Sequence, residues 1–298
     1  MAPRSNEITV ADQDDVPALG LSVGQCATLA CLLEVSAAKP GNVHRGADFT
    51  DVTYLDFVAS AVAIGPVVDA AEATPLGRTV LSAVLATRRV VTTNTNLGTL
   101  LLLAPLCKVP RHAALAAGVV KVLDGLNRDD ATQVYEAIRA ANPGGLGRVD
   151  EADVADQAPS DLVAAMALAA DRDLVARQYA DGFHHVLRLV VPWLEEGLRR
   201  GWTLDDSIIH THVRLMSQVP DSLIARKCGN AVARESADRA AAVLEAGEPG
   251  DESYGHRLAA LDGWLREDGH RRNPGTTADL IAAGLFAALR DGIINPPF

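Results

Sequence analysis

Four short polar stretches interrupt the apolar pattern of this chain, and they carry the side chains that bind phosphate, hold a metal or move a proton. The first is Glu34-Val35-Ser36-Ala37-Ala38-Lys39-Pro40-Gly41-Asn42-Val43-His44-Arg45 and the second Thr92-Thr93-Asn94-Thr95-Asn96-Leu97-Gly98. The third is Pro220-Asp221-Ser222-Leu223-Ile224-Ala225-Arg226-Lys227 and the fourth Arg271-Arg272-Asn273-Pro274-Gly275-Thr276-Thr277-Ala278-Asp279-Leu280. Each has a structural reading. Lys39-Pro40-Gly41 can stop a helix, with Lys39 complementing its C-terminal dipole. Thr95 and Asp221 can be N-caps, and Thr276 with Asp279 three residues on resembles a capping box. Together they put helix N-terminal N–H groups beside Lys, Arg and Asp. Helix N-termini with cations make a phosphate site, and nearby carboxylates hold Mg²⁺ against phosphate oxygens.

Helices must position these stretches. The 298 residues are 48% hydrophobic but only 4% aromatic, and Ala supplies about one residue in six. Ala has the best helix propensity and lets helices approach closely. Apolar residues recur at three- and four-residue steps from Ser22 to Ala38, with Val23, Cys26, Leu29, Ala30 and Leu33 on the pattern. Pro40 requires that helix to end. Further helical patterns run about 54–70, 76–92, 97–107, 112–124 and 129–141, then about 160–200, 204–219, 222–247, 252–267 and 276–291. Asn142-Pro143-Gly144-Gly145 breaks the series, and the acidic stretch from Leu146 to Pro159 reads as a loop. The expectation is an all-α protein: a loose arm over residues 1–18, then one domain of roughly ten or more helices over 19–298.

The bulk numbers exclude several classes. A formal charge of −11 argues against a general nucleic-acid binder or a surface for anionic lipid. The most apolar stretch, Leu97–Leu106, is far shorter than the ~20 residues of a membrane helix. The N-terminal stretch carries no apolar run like that of a secretory signal. The expected location is therefore the cytoplasm. Cys26, Cys31, Cys107 and Cys228 show no paired spacing and read as reduced thiols, mostly buried. There is no P-loop, no dinucleotide fingerprint, no His-Glu-x-x-His and no hydrolase elbow. His210 and His212 diverge on a helix, as do His184 and His185. They read as satisfied structural or surface histidines rather than ligands.

In their order and spacing, the four stretches resemble the triphosphoribosyl-dephospho-coenzyme A synthase family. The signatures stand at Lys39–Gly41, Asn94–Gly98, Asp221–Lys227 and Asn273–Leu280, and the resemblance covers about residues 22–292. The stretches Asn142–Gly147 and Ala170–Tyr179 resemble an archaeal-type branch associated with one-carbon metabolism. The turn departs from the common Asn-Thr-His-Lys-Gly, reading Asn94-Thr95-Asn96-Leu97-Gly98, and His44 stands where an Asp is frequent.

The resemblance implies an enzyme that joins ATP to 3′-dephospho-coenzyme A and releases adenine, with Mg²⁺ accompanying ATP. The implied transition state has oxocarbenium character. It asks for a base for the acceptor hydroxyl and for cations around a triphosphate that is held rather than cleaved. On this reading Lys39, Arg226, Lys227 and Arg272 contact phosphates, and Gly41, Asn94, Thr95, Gly98, Asn273, Gly275, Thr276 and Thr277 form the loops around them. Asp221 and Asp279 are the leading catalytic carboxylates, His44 an acid/base candidate, and Glu34, Asp51 and Asp69 the metal candidates. With so few rings, adenine recognition is expected to rest on aliphatic contacts and backbone hydrogen bonds. Two alternatives remain: another acceptor in pterin or furan cofactor synthesis, and a noncatalytic nucleotide-binding helical protein. The last predicts polar stretches scattered in space. The Ala-rich helices can pack within one chain or across the two-fold of a homodimer.

Overall fold

The computed structural model describes residues 20–142 and 159–298. The expected arm over 1–18, nearly all of the acidic loop 146–159 and most of the Asn142–Gly147 stretch lie outside these residues. The described chain is one helical domain of fourteen α-helices, with an isolated bridge between His44 and Ala47.

The first six helices follow the sequence pattern closely. They are α1 (Val23–Ser36), α2 (Tyr54–Asp69), α3 (Leu76–Arg88), α4 (Leu97–Lys108), α5 (Leu115–Asp124) and α6 (Arg128–Ala141). Side chains set several starts. Ser22 with Gln25, Thr53 with Asp56 and Asn127 with Asp130 each form a reciprocal capping box, pairing two otherwise orphaned N–H groups.

The long pattern expected over 160–200 is instead three helices and a wider turn: α7 (Leu162–Ala169), α8 (Leu174–Asp181), a π turn (His185–Val190) and α9 (Val191–Arg199). Asp173 starts α8 by accepting from the Val175 and Ala176 N–H groups, and left-handed Gly182 ends it. After α10 (Leu204–Gln218), the pattern expected over 222–247 also divides. Gly229, at φ 91°, separates α11 (Ser222–Cys228) from α12 (Asn230–Glu245), a conformation that costs glycine little. The chain closes with α13 (Glu252–Arg266) and α14 (Gly275–Arg290).

Helix α14 is apolar on every side, and Thr276 through Arg290 are buried apart from Asp279. Such a helix belongs in the middle of a bundle. It packs on α1, α4, α8, α9, α10 and α11. The main core gathers around it, and a smaller apolar cluster lies among α10, α11, α12 and α13. All four cysteines are free, with Cys26 and Cys107 buried.

Candidate active site

The start of α14 is the hub of the polar stretches. Asn42 Nδ2 donates to Asn273 Oδ1 at 2.6 Å, joining the first stretch to the fourth. Asp221 Oδ2 accepts from the Thr277 N–H and hydroxyl at 2.7 and 2.8 Å, and the Ser222 hydroxyl donates to Thr276 Oγ1 at 3.1 Å, joining the third to the fourth. Thr99 Oγ1, one residue past the second stretch, donates to Asp279 Oδ1 at 2.6 Å. The four stretches therefore converge, contrary to the scattered-cap alternative. They border a cleft of about 1350 Å³.

Asp279 lines this cleft, and burial pushes its carboxyl up to about 7 against the pull of the Thr99 hydroxyl. The charges of Glu34, Asp221 and Asp173 add to the rise. A Cβ on Gly98 would collide with the Asp279 carboxylate, so glycine at the start of α4 is what admits it. The capping-box expectation fails here: α14 has no side-chain cap, and Asp279 reaches across to α4 instead.

Several sequence-predicted residues share the cleft with Asp279: Glu34, Asp51, Asn94, Thr95, Gly98, Arg226, Lys227, Asn273, Gly275 and Thr276. The loop before α4 is fixed from within. Asn94 Oδ1 accepts from the Leu97 N–H at 3.1 Å, and the Ser60 and Thr95 hydroxyls share a 2.7 Å hydrogen bond. Thr95 is thus not the N-cap; that position belongs to Asn96. Burial and the neighbouring Arg226 push the Lys227 ammonium down from its usual value.

Seven predicted residues lie outside the cleft lining. Lys39 is fully buried, its ammonium taken up by the Glu34 carboxylate at 2.9 Å and by the Glu34 and Ala37 carbonyls. It therefore braces the end of α1 rather than meeting a phosphate. The Gly41 N–H is spent on Asp262 at 2.7 Å. His44 Nδ1 accepts from the Gly46 N–H, a local turn contact, and burial with Arg266 nearby lowers its basicity. Arg272 lies over Trp264, 4.4 Å from the ring centroid, and donates to the Trp264 carbonyl. Asp221 is buried as the N-cap of α11, accepting from the Leu223 and Ile224 N–H groups while Oδ2 holds Thr277. Both Asp221 and Thr277 thus serve as a staple between α11 and α14. Asp69 accepts from the Gly24 N–H at the opposite end of α1, and that bond holds its carboxyl below the usual range.

The expected metal carboxylates do not gather either. Glu34 is paired with Lys39, Asp51 lies beside His270, and Asp69 is at the α1 start. Among the described residues no three His, Cys, Asp or Glu side chains converge as a metal cage. Glu34 and Asp51 nevertheless line the cleft, whereas Asp69 does not.

Sequence reasoning missed several side chains on the cleft. Arg172, Asp173 and Arg177 come from α8 and the turn before it, Arg234 comes from α12, and Asp173 pairs with Arg226 at 3.1 Å. The signal was present in the Asp171-Arg172-Asp173 run, but only the fold brings that run against α11. The chain is poor in rings, yet Phe49, Phe57, Tyr135 and His270 line the cleft. The expected reliance on aliphatic and backbone contacts overlooked this concentration. The expectation that His210 and His212 are satisfied is also corrected: His212 is fully buried, and neither ring nitrogen has a hydrogen-bond partner among the described residues.

The family model CitG, ATP:dephospho-CoA triphosphoribosyl transferase, matches residues 21–296. Among solved structures, one from Archaeoglobus fulgidus is provisionally named a triphosphoribosyl-dephospho-coA synthase. It is 27% identical, covers 80% of this chain and 100% of its own, and superposes with a TM-score of 0.61. No curated protein matches the chain.

Proposed function

Because the chain belongs to the CitG family of ATP:dephospho-CoA triphosphoribosyl transferases, we propose that its cleft joins ATP to 3′-dephospho-coenzyme A and releases adenine. The product is 2′-(5″-triphosphoribosyl)-3′-dephospho-CoA. The observation that carries the assignment to this cleft is Asp279, a half-buried carboxylate with its pKa pushed up to about 7, opening onto a cavity of about 1350 Å³.

The reaction breaks the bond between the ribose C1 of ATP and adenine, and the 2′ hydroxyl of the acceptor forms the new bond at that carbon. Asp279 takes the hydroxyl proton, and the departing adenine keeps the bonding pair and takes up one proton, so the step is proton-neutral overall. A base is most effective when its pKa lies near the working pH, and Asp279 satisfies that condition. Positive charge develops on the donor ribose as the bond breaks. Glu34 also lines the cleft, with its carboxylate already paired by Lys39.

Arg226 and Lys227 bind the triphosphate, with the Asn94–Gly98 loop and Gly275–Thr276 around it. Arg172, Arg177 and Arg234 extend the cationic lining. The formal charge of −11 is a whole-chain sum and leaves room for this local pocket. Mg²⁺ bound with ATP would offset phosphate charge and would need only one or two protein carboxylates beside it.

The test is adenine formation, followed by chromatography, with ATP and dephospho-CoA supplied together and singly. Adenine formed only with both substrates is the expected result. ATP loss without adenine overturns the ribosyl transfer, and adenine formed without any need for dephospho-CoA overturns the acceptor.

A further inference from the structure

We propose that the Phe49–His270 ring pair is the adenine seat of the cleft. This rests on the reading that the cleft takes ATP and dephospho-CoA, both of which carry adenine. The two rings come from chain segments more than two hundred residues apart, yet stack with centroids 5.0 Å apart and planes 23° from parallel. Both line the cleft and both are only half-buried, so ring surface remains available to it.

The geometry is fixed from both sides. Phe49 sits in a turn closed by its N–H on the Val52 carbonyl at 3.0 Å. The Asp51 carboxylate lies 3.5 Å from His270 Nε2. The two loops are tied together where Arg266 donates to the Asn42 carbonyl at 2.6 Å and Asn42 to Asn273. Of the ring–ring pairs among the described residues, Tyr179–Phe183, His184–His185, Trp202–His210 and His210–Tyr254 are absent from the cleft lining. In so ring-poor a chain, a stacked pair at the cleft matches the one substrate feature that cations and hydroxyls do not bind, a flat heteroaromatic base. Arg226 and Lys227 line the same cleft as the ring pair.

Full-length wild type, Phe49→Leu, His270→Phe and His270→Ala are assayed for adenine release, varying ATP and then dephospho-CoA. Leu keeps apolar bulk and removes the ring; Phe at 270 keeps a ring. Phe49→Leu and His270→Ala are expected to raise one KM about tenfold, the lower range for base stacking on an aromatic ring. The other KM stays within about twofold, and His270→Phe stays near wild type. The KM that moves identifies the source: that of ATP for the leaving base, that of dephospho-CoA for the retained one. Calorimetric titration with each substrate alone reads the same loss without turnover. It therefore tests the seat even if wild type forms no adenine, an outcome that overturns the reaction instead. Unchanged affinities in Phe49→Leu, or equal loss for both substrates with a lowered melting temperature, overturn the seat.

Discussion

The cleft beside α14 and the closed interior among α10 to α13 both bury titratable groups, and they use burial differently. Asp279 is half-buried and opens onto the cleft, and one hydroxyl bonds its carboxylate. On the proposed reaction its displaced pKa is usable, because the cleft gives a substrate proton access to it. His212 is at least as deeply buried, and burial likewise favours its neutral form. Nearby, Ser236, Tyr254 and His210 also have buried polar atoms without partners, none of them on the cleft. Burial alone shifts a proton equilibrium; a cavity turns the shift into chemistry. An unpartnered interior histidine instead makes the fold sensitive to acid.

Asp279→Asn should have the largest effect. Loss of the base is expected to cut kcat/KM for adenine release by about 10²- to 10⁴-fold, with helix content by circular dichroism unchanged. In wild type, activity should fall as pH drops through about 7, where the buried carboxyl gains its proton. Stability follows the opposite sign. The folded state keeps this proton up to about 7, while the unfolded chain releases it near 4, so burial costs stability as pH rises through that interval. Asp279→Asn removes the cost, and its melting temperature should exceed that of wild type at pH 8 but not at pH 4. Equal melting temperatures at both values would contradict the contrast between the two regions.

Asp221→Ala should be next, and should act on the fold. It removes a buried carboxylate that caps α11 and holds Thr277. The expected loss is about 3 kcal/mol, combining a cap with charge-assisted hydrogen bonds, measured by urea unfolding. A large fall in kcat with stability intact would move Asp221 from staple to catalyst.

His212→Leu should be smallest. His210 is pushed down to about 4 by burial, and His212 is shifted the same way. Both are neutral in the fold and take a proton on unfolding, so wild-type stability should drain as pH falls from about 6.5 toward 4. Removing His212 should lower the pH of acid unfolding, read by fluorescence, and leave adenine release within about twofold. Unaltered acid unfolding would remove the interior histidine from the account.

Much of this architecture was legible locally. Helices α1, α2, α4, α6, α10, α13 and α14 follow apolar periodicity bounded by Pro, Gly or capping side chains, because helix formation is decided by neighbours within a few residues. The breaks inside 160–200 and 222–247 were less visible. Asp173 ends a short charged run and Gly229 is a lone glycine, and what each does depends on caps and backbone angles. The polar stretches were recognised as a set, but not the work of each member. Lys39, Asp221 and Arg272 have the same residue types as the proposed phosphate and catalytic groups, yet their charges are spent inside the fold.

The sequence by itself determined the helical class, the family signatures and the four stretches that border the cleft, because these are carried by composition, spacing and order along the chain. Only the tertiary structure decided that Asp279 opens onto the cavity while Asp221 is sealed, that Asp173 reaches Arg226, and that Phe49 meets His270. Burial, pairing and access depend on residues far away in sequence, and a residue's type does not report which of its neighbours has already taken its charge.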